Sequence, residues 1–201
     1  MERILYEQLD EYLPENNLLS ENQFGFRRSL SNAMALLDCA ISWYVNMDRK
    51  MFNLVVFIDL KKGFDTVDHK ILLRELELFD IKGNALPLIK SYLSERSQKC
   101  QVNGVVSSGR SVKCGIPQGC ILGPLFFLLY INDLPECLTK TIPRLFPDDT
   151  NLTAIGEMIN EVEIAMNSDL YIECLQKWLQ ANKLSLNVAK TKFLVMDLIH
   201  F

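Results

Sequence analysis

The sequence predicts an α+β fold in which helices back an antiparallel sheet. The run Asn53-Leu-Val-Val-Phe-Ile-Asp59 is dense in β-favouring residues and reads as a buried strand. Segments 98–113, centred on Asn103-Gly104, and 144–155 have the composition of hairpins, which join antiparallel strands. Stretches with helical periodicity separate them, and no linker divides the chain.

Taken in order, Ile4 to Leu13 has helical periodicity and stops at Pro14. Gln23-Phe-Gly-Phe-Arg27 is a short non-periodic element with a glycine between two aromatics. Ser31 caps a second helix, expected to turn Ala33, Leu36, Leu37, Ala40, Ile41 and Tyr44 toward the core. The strand ends on Asp59, and Asp68 is placed as N-cap of a helix from His69 to Phe79. A helix over Ala85 to Leu93 has Pro87 in its first turn. After the first hairpin, Gly115-Ile-Pro-Gln-Gly119 is a tight loop feeding an apolar helix that ends near Leu134. Its apolar run, Ile121 to Ile131, contains Gly123 and Pro124 and falls short of the roughly 20 residues of a membrane span, so it reads as a core helix. Asp148-Asp149 are expected at or near the turn of the second hairpin. Glu157 to Leu179 reads as one long amphipathic helix, and Leu184 to Met196 as two short strands around a turn.

An apolar content of 49% with 23% charged residues is enough to bury one core, which excludes a disordered chain. Met-Glu-Arg-Ile-Leu-Tyr-Glu lacks the pattern of a secretory signal, and no membrane partner is expected. The six cysteines form no C-x-x-C pair and only His69 and His200 accompany them, which argues against zinc and for reduced thiols in an intracellular protein, nuclear or cytoplasmic. The net charge of −4 excludes a wholly basic nucleic-acid binder, yet Lys82, Lys90, Arg96, Lys99, Arg110 and Lys113 are opposed only by Glu95. A face suited to phosphates and a solvated surface both fit that pattern.

Adjacent acids such as Asp148 and Asp149 repel, and two environments keep them ionised: a wet turn, or a divalent cation held by oxygen ligands. If their strand neighbours the one ending at Asp59, three carboxylates converge. Two Mg²⁺ ions about 3.5–4 Å apart between carboxylates are the usual arrangement for in-line displacement at phosphorus. Two unrelated acidic turns are the alternative.

Several blocks follow one another in order: Gln23 to Arg27, Phe57-Ile-Asp-Leu-Lys-Lys-Gly-Phe-Asp-Thr-Val-Asp-His69, Gly115 to Pro124 with Leu129-Tyr-Ile-Asn-Asp-Leu-Pro135, Phe146-Pro-Asp-Asp149, and Leu184-Ser-Leu-Asn-Val-Ala-Lys-Thr-Lys192. Together they resemble the reverse transcriptase domain of non-LTR (LINE-type) retrotransposons, particularly jockey-like elements. The resemblance implies a right-hand polymerase fragment over 1–201, with partial fingers over about 1–52 and a palm over 53–201. A fingers-like helix and hairpin portion around 80–113 is inserted in the palm, and there is no thumb. It further implies RNA-directed DNA polymerase activity, with two Mg²⁺ ions (Mn²⁺ as a substitute) assisting transfer from dNTPs to a primer 3′-hydroxyl. The implied partners are an RNA template, a DNA primer and dNTPs; nothing in the sequence sets an oligomeric state.

By the same resemblance, Asp59 and Asp148 are metal ligands and Asp149 the supporting acid. Phe64 matches the aromatic gate that leaves no room for a 2′-hydroxyl, though a core phenylalanine also fits its place. Arg27 matches an arginine that contacts the incoming triphosphate. Gln118 and Gly119 lie in the loop that lines the nucleotide and template site. Lys190 matches a lysine that protonates the pyrophosphate leaving group, with Lys192 a nearby competitor.

The chain departs from this pattern at Pro147, where alanine is usual, and at Gly63, Cys120 and Leu30, where alanine, serine and a basic residue are usual. Proline removes a backbone donor and fixes φ near −65° beside the acids. The family's first fingers block, a thumb and an endonuclease are absent from these residues. The second expectation is therefore a catalytically inactive truncated remnant, serving at most as a nucleic-acid or protein-binding fold. A group II intron maturase-like polymerase is a third.

Overall fold

A computed structural model describes residues 1–27, 30–146, 149–172 and 174–197, with the backbone alone for residues 32, 149, 171 and 172. Helix α1 (Glu2–Glu15) is followed by α2 (Asn32–Asp48), whose N-cap Ser31 accepts from the Met34 amide at 3.2 Å. Strand β1 (Phe52–Asp59) leads through the short α3 (Gly63–Thr66) to α4 (His69–Leu78), where Asp68 accepts from the amides of Lys70 and Ile71 as the sequence predicts. Helix α5 (Ala85–Leu93) precedes an arm of four two-residue strands, β2 (Ser97–Gln98), β3 (Gln101–Val102), β4 (Val105–Val106) and β5 (Arg110–Ser111). Then come α6 (Gly123–Tyr130), β6 (Ile142–Leu145), β7 (Asp149–Gly156), α7 (Ile159–Asn167), α8 (Leu175–Ala181) and β8 (Lys192–Met196).

The sheet has the order β6-β7-β1-β8, and every pairing in it is antiparallel. One face buries Leu54, Val56 and Ile58 of β1 with Leu152 and Ala154 of β7 against a core built on α4, α6, α7 and α8. Helix α6 is the centre of that core, and Leu125 to Tyr130 are each at most 2% exposed. No helix among the described residues is long and apolar enough to cross a membrane.

The opposite face of the sheet meets α2, and here the expected core stripe is wrong. Leu36, Leu37, Ile41 and Tyr44 are each more than half exposed, Ala33 is exposed and Ala40 half-buried; Ala35, Cys39 and Asn46 are buried instead. The cause lies in the sheet, which offers α2 the polar residues Asn53, Asn151, Thr153 and Arg144. Asn46 Nδ2 donates to Asn53 Oδ1 at 2.7 Å, Trp43 Nε1 to Thr153 Oγ1 at 3.2 Å, and Arg144 Nε to Asp38 Oδ2 at 2.7 Å. Buried polar groups require such partners, so the helix turns its small and polar stripe inward.

Two further expectations need correction. The helix over 157–179 is broken: α7 ends at Asn167, Ser168–Ile172 form a π-helical turn, and α8 begins at Leu175. Within the wide turn, Asp169 is fully buried and accepts from the amides of Thr139, Lys140 and Thr141 and from both threonine hydroxyls. Helix α6 stops at Tyr130 rather than near Leu134, because Asn132 accepts from the Ser20 amide and donates to the Leu18 carbonyl. The segment expected as the first closing strand makes a single bridge, Leu60 to Leu186.

Candidate active site

Asp59 ends β1, and after Leu60 the chain turns into α3 with Lys62 in the left-handed region. The register sets Asp59 directly opposite Asp149 on β7. The two acidic segments are therefore neighbours in one sheet, as the sequence reading required. Pro147 and Asp148 lie outside the described residues, as does the side chain of Asp149.

The Asp59 side chain is partly buried and held from one side. Asn187 Nδ2 donates to Asp59 Oδ2 at 2.7 Å, and the Asn187 amide donates to the Asp59 carbonyl at 2.8 Å. The Asn187 carbonyl in turn accepts from the amides of Lys190 and Thr191 at 3.0 and 2.9 Å and from Thr191 Oγ1 at 3.0 Å. That closed turn carries Lys190 Nζ to 3.9 Å from Asp59 Oδ1. Asn187 thus fixes both the carboxylate and the lysine, although only the lysine was singled out from its block. Asparagine favours turns, which signals the turn but not its contact with Asp59. Lys192 lies one strand away, paired with Phe57.

Two clefts share Asp59 and Lys190. The smaller, about 530 Å³, is bounded also by Phe64, Asp65, Gln118 and Asn187. The larger, about 910 Å³, lies on the α2 side and is lined by Phe26, Trp43, Phe57, Phe146 and Lys192.

Phe64 presents its ring to the smaller cleft because Phe127 of α6 stacks behind it, with centroids 4.3 Å apart and planes at 19°. Gly63 makes room for that partner, since a Cβ there would lie 2.9 Å from Phe127 Cζ. The ring is thus part core and part wall, so the two sequence readings of Phe64 are compatible.

The loop after the arm is clamped to the same region. The Gly115 amide donates to the Val67 carbonyl at 2.8 Å, the Ile116 amide to the Phe64 carbonyl at 2.9 Å, and His69 Nε2 lies 2.8 Å from the Gly115 oxygen. Gln118 Nε2 donates to Asp65 Oδ1 at 3.0 Å across the mouth of the cleft. Gly119 is exposed and lines neither cleft. Gly115 has φ of +85°, and a Cβ would meet the Asp65 carbonyl oxygen at 2.7 Å. Gly115→Ala is therefore expected to cost about 2–4 kcal/mol, read as a lower urea midpoint at unchanged slope. A change below about 0.5 kcal/mol would show that the loop is not clamped.

Arg27 does not join this constellation. Its Nη1 donates to the carbonyls of Ser20 and Gln23 at 3.1 and 3.2 Å, and it lines a separate cleft of about 290 Å³ with Asp10 and Glu15. Its neighbours Gly25 and Phe26 do reach the larger cleft. The chain there is tied to the sheet, with the Phe24 amide donating to the Leu145 carbonyl at 3.0 Å.

Among known families, the model described as reverse transcriptase (RNA-dependent DNA polymerase) matches residues 1–201. The probable RNA-directed DNA polymerase from transposon BS of Drosophila melanogaster is 28% identical over 198 residues, covering 94% of this chain and 21% of that protein. The RNA-directed DNA polymerase from mobile element jockey of the same organism is 26% identical over 200 residues, with the same coverage of 94% and 21%. The chain spans about a fifth of the length of these relatives. Among solved structures, telomerase from Candida albicans in complex with a fragment of telomeric RNA superposes with a TM-score of 0.69 at 15% identity, covering 94% of this chain and 35% of that one. Apo telomerase from Candida tropicalis gives 0.66 at 12% identity, covering 96% and 36%. At such identity the likeness is one of fold, and it bears out the partial polymerase palm.

Proposed function

The chain belongs to the reverse transcriptase (RNA-dependent DNA polymerase) family, and from that premise we propose that its smaller cleft supports RNA-directed DNA synthesis, joining deoxynucleotides to a primer 3′-hydroxyl on an RNA template. One observation carries the reading: Asp59, Phe64, Gln118 and Lys190, from three separate segments, meet around that cleft.

The donor chemistry fits a hard divalent cation. Asp59 Oδ2 is taken by Asn187, while the nearest described cation to Oδ1 is Lys190 at 3.9 Å, beyond hydrogen-bond reach. No group of three His, Cys, Asp or Glu side chains among the described residues could hold an ion. By the family resemblance, the proposed ligand set is Asp59 with Asp148, supported by Asp149. These residues would hold Mg²⁺, or Mn²⁺ in its place, which when bound would supply acidification of an attacking hydroxyl and charge compensation at the leaving pyrophosphate.

The chain's own residues do the rest. Asn187 orients the Asp59 carboxylate, and Lys190 sets an ammonium where the leaving pyrophosphate accepts charge or a proton. Phe64, braced by Phe127, closes the space a 2′-hydroxyl would need. Gln118 stands at the rim with an amide free to exchange Asp65 for a base or sugar. Arg27 as a triphosphate contact requires release from the two carbonyls that hold it.

Primer extension on an RNA template with dNTPs and Mg²⁺ tests this reading. Elongation that EDTA abolishes is expected, while its absence with both Mg²⁺ and Mn²⁺ favours the non-catalytic remnant. Elongation by Pro147→Ala alone would keep the cleft and place the defect at residue 147. Phe64→Val is expected to raise ribonucleotide use relative to deoxynucleotide by at least about tenfold in kcat/KM. An unchanged ratio would return Phe64 to a purely structural role.

A further inference from the structure

The arm between α5 and the Gly115 loop is not held by burial. Every residue of β2, β3, β4 and β5 is exposed. Its tip is a two-residue turn with Asn103 and Gly104 at φ of 49° and 81°, the type I′ geometry that suits a hairpin. From the Gln98–Arg110 pair to the Gln101–Val106 pair the outgoing strand advances three residues and the returning strand four. The extra residue is a bulge near Ser107, which bends the arm, and the Ser107 amide and hydroxyl both bond to Cys100 there.

Four cations, Arg96, Lys99, Arg110 and Lys113, stand on this arm against the single acid Glu95. None of the four forms an ion pair among the described residues. Arg96 is preset: its guanidinium lies 5.1 Å from the Tyr92 ring centroid, and Nη1 donates to the Tyr92 carbonyl at 3.4 Å. The Lys99 stem runs beside Gly109, where a Cβ would be 3.4 Å from Lys99 Cε. In a chain of net charge −4, this projection carries four cations and one acid.

The arm is also aimed. Its returning strand enters the loop 115–118, which is clamped to Val67 and Phe64 and puts Gln118 on the cleft with Asp59. The seven residue steps from Ser111 to Gly104 reach at most roughly 23 Å at strand rise. A nucleic-acid strand carries about one charge per 3.4 Å, so that reach covers several phosphates.

We propose that the arm over residues 95–113 is a phosphate-binding track that grips the nucleic-acid backbone outside the cleft. This rests on the polymerase reading of the cleft. The same chemistry serves two sources, the RNA–DNA hybrid or the single-stranded RNA template, and the ligand arms of the experiment separate them.

The test is fluorescence anisotropy of the 201-residue chain with a blunt RNA–DNA hybrid and with single-stranded RNA of equal length, between 50 and 200 mM salt. The variant replaces Arg96, Lys99, Arg110 and Lys113 by Gln. The control replaces Arg49, Lys50, Lys140 and Lys177, all exposed and off the arm, so that net charge changes equally. For the bound ligand, the arm variant is expected to weaken Kd at least about tenfold. Its log–log salt slope should shrink by about 3.6 for the hybrid or about 2.8 for single-stranded RNA, taking 0.9 or 0.7 per phosphate contact. A Lys99→Gln/Lys113→Gln double variant, which spares the Arg96–Tyr92 contact, should show about half the slope change. Wild-type affinity and slope in the arm variants, or equal losses in the control, would overturn the proposal. The polymerase reading is judged separately, by whether the wild-type chain elongates a primer.

Discussion

Replacing Asp59 by alanine is expected to lower single-turnover primer elongation by about 10³-fold or more while leaving the fold intact. Cation-assisted charge stabilisation at phosphorus amounts to several kcal/mol, and each 1.4 kcal/mol is a factor of ten. Asp59 sits at a strand end with only partial burial, so its loss opens no cavity in the core. The structure adds a graded companion. Asn187→Ala keeps the carboxylate but removes the 2.7 Å bond that orients it and loosens the turn carrying Lys190. A carboxylate misplaced by about 1 Å costs on the order of 10²-fold. An Asn187→Ala loss confined to the rate at saturating primer–template, with circular dichroism unchanged, would identify Asn187 as a positioning residue. Equal rates for Asp59→Ala and wild type would remove Asp59 from the chemistry.

The second large effect concerns stability. Asp169→Ala is expected to cost about 3–5 kcal/mol, because it removes a fully buried carboxylate that satisfies three amides and two hydroxyls of the 139–141 loop. That loop enters β6, whose Leu145 amide donates to the Asn22 carbonyl at 2.8 Å, so the damage should spread to the sheet edge beside the larger cleft. Asp169→Asn keeps the shape and one acceptor oxygen and should recover part of the loss. Urea denaturation read by far-UV circular dichroism measures both variants. A loss below about 1 kcal/mol for Asp169→Ala would mean that water replaces the carboxylate without difficulty.

Asp169 also shows where sequence reading stopped. From 157 to 179 the apolar spacing is helical throughout, and nothing local announces that one aspartate is needed 30 residues away at Thr139. Helix α2 misled for a related reason. It carries two usable stripes, and the choice between them belongs to the polar face of the sheet, which forms only after β1, β6 and β7 pair. Where the signal was local, it was legible. The Asp68 cap, the Asn103-Gly104 turn and strand β1 depend on neighbouring residues and emerged as expected. The site divides in the same way. That Asp59 lies opposite Asp149 was one of two arrangements open to the sequence, and the β1–β7 pairing selects it; Phe64, Gln118 and Lys190, singled out by the family resemblance, line the same cleft. Asn187 and Phe127 escaped because their roles are contacts to other site residues, visible only in three dimensions.

Mn²⁺ binding followed by electron paramagnetic resonance, in the presence of a dNTP, tests most directly the claim that Asp59 presents its free oxygen to a divalent cation. Wild type and Asp59→Asn differ by one oxygen in a side chain of the same shape. Wild type is expected to hold Mn²⁺ with the nucleotide at least about tenfold more tightly than the variant. Equal affinity in the two chains would contradict the assignment.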